Sequence, residues 1–192
     1  RTVLGPPPAA AAVTLDALQV DVIGSNCGLG IDGIHDVLAR MRAVTDRPLI
    51  SQANAGLPVL VDGQTVFPAS PEEMTAYHDR LIALGVRVMG GCCGTTPDHI
   101  RAIKQALAGS PQQWQKPERR SFLSSRSQVV EIGVGAPCRL IGERINPTGK
   151  KGYSEELRSG KTAYTRREAV EQVAAGADLL DINCGAPGVD EP

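Results

Sequence analysis

Val86-Arg87-Val88-Met89-Gly90-Gly91-Cys92-Cys93-Gly94-Thr95-Thr96-Pro97-Asp98 holds a whole structural unit in a short stretch. A β-branched, apolar run leads into a glycine-rich turn, and Thr-Pro-Asp then opens a helix that the spacing carries through Leu107. The same strand, turn and helix order recurs upstream. Val20 to Ser25 is a short buried-type strand, followed by Ile31 to Val44 with Ile34, Val37, Leu38 and Met41 at helical spacing. Pro48 ends that helix, and Leu49 to Gln52 forms the next strand, running into Ala53-Asn54-Ala55-Gly56. Val59 to Phe67 carries Asp62-Gly63 between β-formers, the signature of a hairpin excursion. Ser70-Pro71-Glu72-Glu73 starts a helix predicted to run to Leu84, with Gly85 as its stop.

After Gly109 the pattern lapses. Residues 109–126 carry prolines and polar residues without an apolar period, so they read as a linker. Alternation then resumes with strands at Val129–Ile132 and Arg139–Ile145, a helix at Glu168–Ala175 and a strand at Asp178–Asn183. Alternating elements of this kind give an α/β fold with parallel strands. An open doubly wound sheet and a closed barrel both remain compatible. Neither segment holds enough units to close a barrel of about 250 residues, so any barrel here is present only in part.

The composition excludes several function classes. Of 192 residues 42% are apolar and 21% charged, enough to bury a core. Lys and Arg number 20 against 21 Asp and Glu, and that balance leaves no basic footprint for nucleic acid. Aromatics make up only 3% and do not interleave with basic clusters, which removes base-stacking platforms as well. No apolar run approaches the roughly 18 residues of a membrane helix. The chain begins at Arg1 without a signal segment and ends soon after a buried-type strand, as a piece of something longer would. Five cysteines, an odd number without a secretory signal, point to a reducing, cytoplasmic setting rather than a disulfide framework.

Three of those cysteines fall where α/β folds place their chemistry. Cys27 follows the strand at Val20–Ser25, and Cys92-Cys93 follow Val86–Met89, so all three lie at the carboxyl ends of parallel strands. Flanking glycines let backbone and an ion approach closely. Three thiolates with an open fourth position suit catalytic zinc. Such a set keeps an incoming thiol deprotonated yet electron-rich, which favours thiolate activation over zinc-hydroxide chemistry. Cys138 and Cys184 read as small buried hydrophobes. Asn26, Asn54, Glu143, Asn146 and Asn183 share the strand-end face. Asn54 leads the first group because its strand lies between the cysteine-bearing ones, while Glu143 can accept hydrogen bonds from a nitrogen-rich ring. His35, His78 and His99 fall within predicted helices, as surface or satisfied residues. A competing motif, Gly28, Gly30 and Gly33 in G-x-G-x-x-G, admits an NAD(P)-dependent oxidoreductase. It lacks the acid that should close the following strand, where Gln52-Ala53-Asn54 stand instead. Gly142 to Lys151 does not have phosphate-loop spacing.

Gly24-Ser25-Asn26-Cys27, Asn54-Ala55-Gly56-Leu57-Pro58 and Gly90 to Ile100 together resemble the homocysteine-binding zinc domain of homocysteine S-methyltransferases. Ile141 to Lys151, Gly176 to Asn183 and Pro187-Gly188 resemble the start of a pterin-binding domain. Their order is similar to that in the cobalamin-dependent methionine synthase family. The resemblance implies two incomplete eight-stranded (β/α) barrels of the TIM type. Residues 1–109 would be the carboxyl-terminal half of a homocysteine-binding zinc barrel, 110–127 a linker, and 128–192 the first part of a methyltetrahydrofolate-binding barrel. It implies zinc on Cys27, Cys92 and Cys93 with homocysteine sulfur in the fourth position, and Asn26 and Asn54 beside the substrate. It also implies a pterin near Glu143, Asn146 and Asn183, and methylcobalamin carried on a separate domain or protein. A cobalamin-independent homocysteine methyltransferase is the near alternative, disfavoured by the pterin-like segment. With half of one barrel and most of the other outside the chain, little methionine formation is expected from it alone.

Overall fold

The computed structural model describes residues 5–110 and 114–189. The chain divides into two compact units, Arg1–Glu131 and Ile132–Pro192. The fold is mixed α/β with parallel sheets.

The first unit is built on three parallel strands: β1 (Ile23–Asn26), β2 (Leu49–Ala53) and, after a hairpin, β5 (Val86–Gly91), in the order β1-β2-β5. Helix α1 (Pro8–Ala17) precedes them, α2 (Ile31–Arg42) links β1 to β2, and α5 (Pro97–Ala108) follows β5. Along β2 the pleat sorts the residues, with Leu49, Ser51 and Ala53 buried, Ile50 half-buried and Gln52 exposed. The buried set meets Ile34, Leu38 and Met41 of α2, the stripe that the helical spacing marks, together with Ile23 and Val86. One face of this sheet is thus sealed by helices, while Val88 of β5, and Val22 just before β1, are left exposed.

Between β2 and β5 the chain forms the hairpin β3 (Val59–Val61) and β4 (Gln64–Val66), paired antiparallel with Val61 opposite Gln64. Asp62 and Gly63 both take positive φ, 49° and 77°, as a two-residue turn of matching twist requires. Ser70 then caps α3 (Pro71–Thr75) with a reciprocal box. Its Oγ accepts from the Glu73 N–H at 3.2 Å, and Glu73 Oε2 accepts from the Ser70 N–H at 2.6 Å. Ser70→Ala should cost about 1 kcal/mol, read as a lower denaturant midpoint at unchanged slope.

The helix expected through Leu84 is broken. It resumes as α4 (His78–Ala83) after Tyr77. Thr75 Oγ1 donates back to the Pro71 and Glu72 carbonyls, and His78 Nδ1 donates to the Thr75 carbonyl at 2.8 Å. The His78 ring therefore takes the Thr75 carbonyl that a continuous helix would use, while the Glu72 carbonyl still accepts from the Ala76 N–H at 3.0 Å.

Within the stretch that reads as a linker, residues Ser121–Ser124 form β6, paired with β7 (Val129–Ile132). Trp114 lies under the Arg42 guanidinium, 5.1 Å from its ring centroid, and fills the space where a Cβ on Gly85 would stand. Lys116 reaches Asp46 at 2.9 Å, and that hydrogen bond holds the Asp46 carboxyl below the ordinary carboxylate range. The second unit pairs β8 (Ile141–Ile145) with β9 (Leu179–Ile182) in parallel, connected through α6 (Lys151–Arg158) and α7 (Ala163–Ala174). No helix among the described residues is long and apolar enough to cross a membrane.

Candidate metal centre

The carboxyl ends of β1, β2 and β5 converge on three thiols. Cys27 sits just past β1 in the left-handed region, φ 58°, with Gly28 beside it at 70°. A residue with a Cβ adopts that conformation at a cost, and only when its surroundings hold it there. Here the Cys27 N–H donates to the Gln52 carbonyl at 3.0 Å, and the Cys27 carbonyl accepts from the Leu29 N–H at 2.8 Å. The effect is to swing the thiol from the end of one strand toward the end of another.

Cys92 and Cys93 occupy the turn after β5. The Cys92 N–H donates to the Ala53 carbonyl at 2.8 Å, continuing the ladder, and the Cys93 N–H donates to Asn54 Oδ1 at 3.1 Å. Gly94 takes φ 77°, and a Cβ there would lie 2.2 Å from the Phe67 Cβ. The turn is therefore tight because the root of the hairpin presses on it.

Cys27 Sγ and Cys93 Sγ stand 3.5 Å apart, and the three sulfurs all lie within 4.8 Å of one another. A tetrahedral zinc with Zn–S bonds of about 2.3 Å puts its sulfurs about 3.8 Å apart, so the cluster suits such an ion with little adjustment. The protonation of the metal-free thiols is shared. The hydrogen bond from Cys93, with smaller help from the Gly28 N–H, lowers the Cys27 pKa below the ordinary thiol value. That same bond to Cys27, then the one to Cys92, pushes Cys93 up to about 11. One thiolate is thus favoured over two adjacent ones until a cation neutralises them. Cys93 is exposed and the other two half-buried, leaving one side of the cluster open.

The neighbouring asparagines are both engaged. Asn26 Nδ2 points at Cys92 Sγ from 4.0 Å. Asn54 is buried, 3% exposed, with its oxygen committed to the Cys93 backbone. The second unit places Glu143 on β8, with Asn146 and Asn183 just past the carboxyl ends of β8 and β9. Asn146 Oδ1 accepts from the Thr148 N–H at 3.0 Å, and Asn183 Oδ1 accepts from the Gly185 N–H at 2.9 Å, each shaping its own loop. Glu143 is exposed. Cys138 is exposed, not buried, and Cys184 is half-buried, 3.6 Å from the Tyr153 hydroxyl.

His99 is the residue whose part the sequence did not reveal. It is buried in the first turn of α5, with Nδ1 on Thr96 and Nε2 on the Ala69 carbonyl. The pattern Thr96-Pro97-Asp98-His99 holds the one available signal, a capping residue followed by a side chain able to complete the box.

Comparison with known proteins gives this geometry a context. The family model for homocysteine S-methyltransferase matches residues 1–107. Methionine synthase from Mycobacterium tuberculosis is 33% identical over 180 residues, covering 93% of this chain and 15% of the relative. Methionine synthase from Mycobacterium leprae is 32% identical over 185 residues, again with 93% and 15% covered. The chain thus spans about a seventh of the length of these relatives, the 15% just given. Among solved structures, the homocysteine methyltransferase MmuM from Escherichia coli, in its oxidised form, matches with a TM-score of 0.38 and 26% identity over 51% of this chain and 29% of that one.

Proposed function

Because the chain belongs to the homocysteine S-methyltransferase family, we propose that its first unit holds zinc on Cys27, Cys92 and Cys93 and presents it to homocysteine. The observation that carries this reading is the convergence of three thiols within 4.8 Å from turns 65 residues apart in sequence (92 − 27 = 65). Cys27, Cys92 and Cys93 would hold the zinc, which would bind the homocysteine sulfur and keep it deprotonated at neutral pH. The chain's own residues do the rest. Asn54 fixes the Cys93 backbone, the left-handed turn aims Cys27, and exposed Cys93 leaves an approach for the amino acid. On this reading Asn26 and Asn54 would flank the bound substrate, Asn54 through the amide that its bond to Cys93 leaves over. Family membership selects methyl transfer over the dinucleotide reading of Gly28, Gly30 and Gly33.

The methyl donor belongs to the same proposal. Methyl groups would come from methylcobalamin on a separate domain or protein. They would be replenished from methyltetrahydrofolate at residues 128–192, with Glu143, Asn146 and Asn183 toward the pterin. Supporting this is the extent of the match to methionine synthases, 180 residues against the 107 of the family model. A cobalamin-independent homocysteine methyltransferase would have no use for the second segment. Residues 1–109 and 128–192 would then be parts of two barrels joined by 110–127. Parallel strands in consecutive order, with one open sheet face, support that arrangement. A cytoplasmic site of action fits thiols that must stay reduced.

X-ray absorption at the zinc edge tests the central reading. About one zinc per chain on three sulfurs, rising to four when homocysteine is added, is the expected result. A folded chain that binds no zinc, or one whose coordination ignores homocysteine, would overturn it.

A further inference from the structure

His99 closes a hydrogen-bonded ring around the cysteine pair. Its Nδ1 accepts from the Thr96 backbone N–H at 3.1 Å, so the ring proton of the neutral imidazole is on Nε2. Nε2 then donates to the Ala69 carbonyl at 3.0 Å, 30 residues back in the chain. The Ala69 N–H donates to the Ala55 carbonyl at 3.0 Å, and the Ala55 N–H to the Cys93 carbonyl at 2.9 Å. From Cys93 the chain returns through Gly94 and Thr95 to Thr96, whose Oγ1 also lies 2.8 Å from Nδ1. A histidine needed only to cap α5 would complete that task through Nδ1. The second nitrogen instead joins α5 to Ala69, in the segment before α3, and Ala69 is itself bonded to Ala55 in the loop after β2.

We propose that His99 is a positioning residue for the thiol cluster: its bond to Ala69 fixes the Cys92–Cys93 turn against the Asn54–Gly56 loop, and thereby sets where Cys93 stands relative to Cys27. The proposal rests on the reading of the cluster as a zinc site. Cys27 is anchored separately, through Gln52 and Leu29, so slack on the Cys93 side changes the spacing between the two. The turn keeps its own bonds to Ala53, Asn54 and Ala55, so loss of the tether weakens the cluster without dispersing it.

Two substitutions separate the tether from the cap. In His99→Asn the amide oxygen takes the place of Nδ1 and keeps the bond from Thr96, but the side chain is too short for Ala69. In His99→Gln the amide nitrogen falls near the Nε2 position and keeps Ala69 while giving up Thr96. Zinc affinity of the full chain, by competition with a chromophoric chelator, should fall severalfold in His99→Asn, less than the roughly 10- to 100-fold that loss of a group bonded directly to a ligand costs. His99→Gln should stay close to the unsubstituted chain. Cobalt substitution provides the second readout. The thiolate-to-cobalt absorption of His99→Asn should shift or weaken, while that of His99→Gln should match the parent. The reverse ranking, equal affinities, or unfolding of both variants would overturn the proposal, since each makes His99 a cap or a general folding residue. A parent chain that takes up no zinc on its cysteines would fail before any substitution is made, and would overturn the zinc reading itself.

Discussion

Cys93→Ser should leave the chain folded and reduce its zinc content from about one per chain to a trace. Serine matches cysteine in shape but does not ionise near neutral pH, and a hydroxyl is a poor ligand in a thiolate set. Loss of a direct ligand should exceed the roughly 10- to 100-fold that outer-shell partners cost, so affinity should drop more than a hundredfold. The fold should not follow, because Cys93 is exposed and its backbone bond to Asn54 does not involve the side chain. Metal analysis beside a melting curve of the metal-free chain checks both halves. Cys138→Ser, exposed and outside the cluster, should change neither. Undiminished zinc in Cys93→Ser would remove this residue from the site.

Gly24→Ala should have the opposite profile, damaging the fold before the chemistry. Gly24 pairs with Ile50 across the β1–β2 ladder, and a Cβ added to it would lie 2.0 Å from the Ile50 carbonyl oxygen. Backbone cannot rotate away as a side chain can, so the strands must separate or shear. Overpacking of this kind costs about 3 kcal/mol or more. Displacement at Gly24 also passes directly along β1 to Asn26 and Cys27. A large fall in the denaturant midpoint, with zinc affinity lowered as well, is the expected outcome. A variant as stable as the parent would show that the two strands can move apart at little cost.

What the sequence made legible was local or periodic. Asp62-Gly63 and Ser70-Pro71-Glu72-Glu73 each carry their instruction within a few residues, and each forms the expected structure. The cysteines were placed together because strand ends of a parallel sheet share one edge, a rule that needs no contact information. Other features had no such marker. Helix α1 is nearly all small apolar residues, so it shows no amphipathic stripe to distinguish it. At the break the His78 side chain takes the Thr75 carbonyl, which periodicity does not register. The partner of His99 is the carbonyl of an alanine, and backbone acceptors leave no trace in residue identity. Strand β6 lies in a polar stretch that takes its form from pairing with β7.

The pairing of Cys27 with Cys93 also has a thermodynamic side. The two are 66 residues apart in sequence, and their sulfurs meet. An ion gripping both, as proposed, would be a reversible staple across that long loop. By the chain-entropy relation used for covalent cross-links, closing a loop of this length removes about 4 kcal/mol of freedom from the unfolded chain. An ion bound there as proposed would hold β1 and β5 in one folded unit. Stripping it with a chelator would lower the melting temperature and open the intervening segment to proteases. Metal supply would govern the lifetime of the chain as well as its chemistry.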